Sequence, residues 1–223
     1  MFQIDSYISK LIDLLKINFD ERLIYVGLQG SYLRGEANQN SDIDIMVVID
    51  GLSVSDLAMY RSIIESLEDS DRSCGFICSK ADLKNWNPLE IWNLTNGTKD
   101  YYGSLHLLVP AYSERDIRIF TKLSVNNLYH EMCHRYIHGD HDRTVSILPQ
   151  LYKGTFFILQ SLYYIAHSRY VATKAELLPL LDGKDFAVMQ RCVDLYNGIE
   201  YDFNDNFSLL FTWCQETMQT LES

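Results

Sequence analysis

Gly30-Ser31-Tyr32-Leu33-Arg34-Gly35, followed by Ser41-Asp42-Ile43-Asp44, is the stretch whose reading decides this chain. Apolar segments flank it on both sides. Residues 22–29 read as a strand that ends at the Gly-Ser turn, and residues 42–49 read as a second strand, apolar without a break from Met46 to Ile49. Side chains at i and i+2 of a strand share a face. Asp42 and Asp44 are therefore expected to present two carboxylates side by side, an arrangement that holds Mg²⁺ against a nucleotide's phosphates. The Gly-Ser turn offers backbone N–H groups and a hydroxyl to a phosphate. Arg34 adds a planar, permanently charged fork for phosphate oxygens.

Together Gly30, Ser31, Arg34, Gly35, Asp42 and Asp44 resemble the signature of the DNA-polymerase-β-like nucleotidyltransferase superfamily: Gly-Ser, a nearby Arg-Gly, then Asp-x-Asp. The resemblance implies that Asp42 and Asp44 are the catalytic metal ligands for one or two Mg²⁺ ions. It implies that Gly30, Ser31 and Arg34 bind an NTP co-substrate. The family pattern usually supplies a third carboxylate from the next strand. Here that place falls on or near Cys74, with Asp71 just before it.

The chain has 223 residues, of which 47% are hydrophobic and 13% aromatic, enough for a well-buried core. Its formal net charge of −11 shows no basic footprint for long nucleic acid and suits a cationic small molecule better. Five cysteines form no metal or disulfide spacing. Their odd number, and an N-terminus without a basic leader region, point to reduced thiols in a cytoplasmic protein. No apolar run approaches the length of a membrane span.

Residues 3–19 carry apolar side chains at helical spacing. A helix is also expected over 54–68, a third strand over 73–79, a short helix from Pro88, and a further strand over Leu105–Val109. From residue 113 long helices take over. Ser113 with Asp116 predicts a capped start to a helix that Gly139 stops, and Pro149 is expected to open the next one. Thr173 with Glu176 reads as another capped start. The fold class is therefore α+β: a small mixed-sheet nucleotidyltransferase domain over 1–110, then an all-α helical bundle over 111–223.

Glu131, His134, Arg135 and His138 fall on one stripe of the first long helix of the second half. Here the chain resembles, more narrowly, the kanamycin-type aminoglycoside nucleotidyltransferases, which carry a Glu four residues before a Lys on the equivalent helix. That resemblance puts Glu131 in the place of the general base and Arg135 beside the phosphates. It also implies an antibiotic-like small-molecule acceptor, and leaves a homodimer open, because related enzymes can build sites across a dimer. A plain i,i+4 ion pair on a wet helix face is the competing account of the same residues.

Other readings compete for the whole chain. His130-Glu131-Met132-Cys133-His134 spells H-E-x-x-H, a zinc-hydrolase pattern that leaves residues 30–44 idle. Arg135 and His141 fit a loose Arg-x₅-His pattern of helical ribonucleases. A third alternative is a catalytically degenerate, antitoxin-like module that keeps the nucleotide fold without turnover.

Overall fold

The structure, a computed structural model, describes residues 2–221, with the side chains of 141–144 left aside. The chain divides into two compact units, Met1–Tyr112 and Ser113–Ser223.

The first unit is built on a four-stranded mixed sheet of β1 (Leu23–Leu28), β2 (Ile43–Ile49), β3 (Ser73–Ser79) and β4 (Lys99–Tyr102), in the order β3-β2-β1-β4. β2 runs antiparallel to β1 and parallel to β3. Its alternate residues Ile43, Ile45, Val47 and Ile49 pack with α1 (Ile4–Phe19) and α3 (Val54–Glu65). Met46 and Val48 belong to a second cluster with Tyr25, Cys78, Leu83 and Leu105. A strand buried on both faces reads as an unbroken apolar run, which is why 45–49 shows no alternation. By the strand's period of two, Asp44 shares the face of Met46 and Val48. The short helices of this unit are α2 (Gly30–Arg34), α4 (Lys80–Lys84) and α5 (Pro88–Asn96).

Arg22 ties the far end of the sheet together. It donates to the Asp50 carbonyl at 3.0 Å, to the Gly51 carbonyl at 3.1 Å, and to both carboxylate oxygens of Asp56 at 3.0 and 2.7 Å. Asp56 also completes the capping box of α3 with Ser53. The Arg22 guanidinium, then the Ser53 donors, hold the Asp56 carboxyl far below its ordinary value of 3.8. A depressed folded-state value stabilises the fold above the unfolded-state value, and that contribution is lost as pH falls through the folded one. Asp56→Asn should therefore lower the melting temperature at neutral pH, with the gap to wild type closing as pH drops below about 4. A gap that stays constant from neutrality to acid in thermal melts would contradict this account.

The second unit comprises α6 (Glu114–His138), α7 (His141–His167), α8 (Lys174–Leu177), α9 (Gly183–Tyr196) and α10 (Phe203–Thr220). Its core gathers Val125, Met132, Tyr152, Phe156, Leu159, Met189, Leu210 and Trp213. Buried polar groups are paired: Tyr152 donates to the Asn206 carbonyl at 2.8 Å and the Trp213 indole to Asp185 at 2.6 Å. Ser113 and Asp116 form the expected capping box of α6. No helix among the described residues is long and apolar enough to cross a membrane.

Three expectations need correction. Leu105–Val109 is not a strand; Leu105–Leu107 is a 3₁₀ turn that drops Leu105 into the second cluster. Pro149 does not open a helix but lies inside α7, between the buried Leu148 and Tyr152 whose packing carries the helix past it. The strand expected over 42–49 begins at Ile43, so Asp42 stands just ahead of it.

Candidate functional site

β1 ends by handing the chain to β2. The Gln29 amide donates to the Asp44 carbonyl at 2.8 Å, which pins the following turn on the strand that carries the carboxylate. Gly30 then takes a φ of +69°, and a Cβ there would lie 1.9 Å from Oδ2 of Asp44. Both facts demand glycine: an L side chain disfavours that backbone, and the carboxylate already fills the space. α2 closes at Gly35, again left-handed, where the Glu36 amide returns to the Ser31 carbonyl at 2.9 Å. The expected turn is thus a short helix, Gly30–Arg34, whose first residue packs against the Asp44 carboxylate. Gly30→Ala should push Asp44 off its place and cut turnover about tenfold, the effect of roughly 1.4 kcal/mol. Full turnover in a folded Gly30→Ala variant would remove the contact from the site.

Asp44 is half-buried on β2 and Asp42 is exposed. In the parallel register Asp44 pairs with Cys74 of β3, the place the family pattern gives to an acid. Partial desolvation, then the neighbouring Asp44 carboxylate, raises the Cys74 thiol above its ordinary pKa. Asp71 lies exposed in the 3₁₀ turn Ser70–Arg72. Among the described residues no group of three His, Cys, Asp or Glu side chains is set to hold a metal ion. Two carboxylates remain. Their hard oxygens suit a Mg²⁺ that brings its own water and phosphate ligands.

Arg34 donates Nε to Glu36 Oε2 at 3.0 Å, with both side chains largely covered. The cation expected for phosphate oxygens therefore already holds a carboxylate that the sequence reading did not single out. Arg72 is a second such residue: it reaches the Ser41 carbonyl and the Tyr32 hydroxyl, one on each side of the site loop. Tyr101 donates its hydroxyl to Asp5 of α1 at 2.5 Å.

In the second unit, Glu131 and Arg135 form an ion pair on α6, Nε to Oε1 at 2.5 Å. The Glu131 side chain is 42% exposed and that of Arg135 27%, so both sit at the wet flank of a helix whose buried face carries Val125 and Met132. His130, His134 and His138 stand along the same helix, with successive ring centroids 6.1 and 5.2 Å apart. The side chain of His141 lies outside the described residues.

Residues 8–92 match the family model described as a nucleotidyltransferase domain. The first unit is the part of the chain that matches a nucleotidyltransferase domain. The whole chain also resembles a solved structure, spectinomycin adenyltransferase AAD(9) from Enterococcus faecialis with ATP and spectinomycin. The TM-score is 0.62 at 14% identity, covering 97% of this chain and 100% of that one. At that identity the likeness concerns the fold: a nucleotidyltransferase sheet followed by a helical unit. A toxin-antitoxin structure with AMP-PNP matches at 22% identity over 58% of this chain and 92% of that one, but its TM-score of 0.32 carries no argument. No curated protein matches the sequence.

Proposed function

We propose that the chain is a Mg²⁺-dependent nucleotidyltransferase that moves a nucleoside monophosphate, AMP as first candidate, from an NTP to a hydroxyl of a small acceptor. The observation that carries this reading is the packing of Gly30 against the Asp44 carboxylate inside a nucleotidyltransferase domain. In this reading the acceptor oxygen attacks the α-phosphorus. A P–O bond forms, the bond to the β-phosphate oxygen breaks, and pyrophosphate leaves with the electron pair. Mg²⁺, when bound, neutralises charge that develops on the phosphate oxygens.

This chain's own residues would do the rest. Asp42 and Asp44 hold the metal. Ser31 and the backbone amides around Gly30 receive the phosphates, with Arg34 released from Glu36, and Arg135, as their cations. Glu131 takes the proton from the acceptor hydroxyl. The acceptor we infer is cationic and aminoglycoside-like. The net charge of −11 supports it by steering opposite charge, and so does the resemblance of the Glu131–Arg135 stripe. An antibiotic-resistance role in the cytoplasm follows from that choice of acceptor.

One observation favours a second reading. Cys74 pairs with Asp44 where the family pattern has an acid, so a nucleotide-binding module without turnover is the alternative. A panel of NTPs and cationic acceptors with Mg²⁺, read by pyrophosphate release and calorimetry, separates the two. Release that depends on an acceptor supports the enzyme. Binding of Mg–NTP without release gives the site to the module, and no binding at millimolar nucleotide ends both readings.

A further inference from the structure

Arg72 has no part in the signature, yet its guanidinium joins the pieces that do. Nη2 donates to the Ser41 carbonyl at 3.0 Å and Nε to the same oxygen at 3.2 Å. Nη2 also reaches the Tyr32 hydroxyl. Ser41 immediately precedes Asp42, Tyr32 immediately follows Ser31, and Arg72 itself stands two residues before Cys74. One side chain therefore spans α2, the entry to β2 and the start of β3.

Its surroundings fix it further. The guanidinium lies 5.0 Å from the Phe2 ring centroid and 5.8 Å from that of Tyr32. The two rings meet edge to face at 5.6 Å. Asp69 Oδ1 lies 3.7 Å from Nη1, and only 19% of the arginine side chain is exposed. A planar fork of five donors can serve a carbonyl and a hydroxyl at once; an ammonium on a flexible stem presents a point charge instead.

We infer that Arg72 is a positioning residue, setting the distance between the phosphate-receiving turn at Gly30-Ser31 and the carboxylate of Asp42. The inference rests on the nucleotidyltransferase reading above. A brace of this kind matters more in the transition state than in the bound ground state. In-line transfer needs the phosphate and the metal ligands aligned together, whereas nucleotide binding tolerates a looser frame.

The test uses the full chain. Arg72→Met should lower kcat per folded molecule about 10–100-fold while KM for Mg–NTP moves less than about threefold. Arg72→Lys should recover part of the loss. Tyr32→Phe should cost less than Arg72→Met, and adding it to Arg72→Met should cost nothing more, because the shared contact is already gone. Hydrogen exchange gives a readout free of turnover: amides of residues 30–42 should exchange faster in Arg72→Met, with those of α1 unchanged.

Loss of activity only in proportion to loss of folded protein overturns the inference, and so does unchanged exchange over 30–42. If the wild-type chain turns over no NTP at all, the nucleotidyltransferase reading falls. The exchange result then decides by itself whether Arg72 braces the loop.

Discussion

Asp44→Asn is expected to reduce nucleotidyl transfer by about 10³-fold or more while the protein stays folded. The substitution is nearly isosteric, so the packing against Gly30 survives. The backbone carbonyl that accepts from Gln29 at 2.8 Å is untouched. Under the proposed chemistry, what is lost is one of the two negative charges that Asp42 and Asp44 would offer to Mg²⁺. Among the described residues no cluster of three such ligands stands ready to compensate. Circular dichroism should show an unchanged melt, and calorimetry should show NTP binding that no longer depends on Mg²⁺. If the Asp44→Asn variant retained more than about a tenth of wild-type turnover, a deficit under roughly 1.4 kcal/mol, the metal would have to be held elsewhere.

Glu131→Gln carries the second large expected effect. Gln keeps the shape and an oxygen that can accept from Arg135, so α6 should remain intact. It cannot take a proton. If Glu131 is the general base, kcat should fall about 10²–10⁴-fold with Mg–NTP affinity unchanged. Turnover within about threefold of wild type would reduce the Glu131–Arg135 pair to what half-exposed i,i+4 ion pairs commonly are, a small stabiliser of one helix. The Asp44 and Glu131 experiments fail independently, because one tests the nucleotide half of the chemistry and the other the acceptor half.

The turn and strand that carry Gly30, Ser31 and Asp44 were legible because they depend on local chain geometry. A glycine that must be left-handed, a strand apolar on both faces and an interrupting Asp-x-Asp all leave marks within about twenty residues. Capping boxes are equally local, and Ser113 with Asp116 announced α6. What stayed hidden was long-range. Arg72 sits in a three-residue turn, with partners 31 and 40 positions away, and no periodicity announces such a convergence. β4 was missed because Lys99-Asp100-Tyr101-Tyr102 is polar, half-exposed and at a sheet edge, where propensity is weak. The Arg34–Glu36 pair spans two residues, but the signature made the arginine look committed to phosphate. Leu105–Val109 misled by its apolar run, since one buried leucine in a turn satisfies the core as well as a strand does.

The joint between the two units has a consequence for how such a protein can change over time. Unit 1 ends at Tyr112 and unit 2 begins at Ser113, and Ser113 is itself the residue that starts α6. Each unit has its own apolar core. A recombination event between the codons for these two residues would cut through neither core and would carry the helix-start signal along with its helix. Under the proposed chemistry, the half that activates the nucleotide could be inherited unchanged while a new helical half brings a different acceptor. Acceptor range would then be a trait acquired by exchange of gene segments as well as by point mutation.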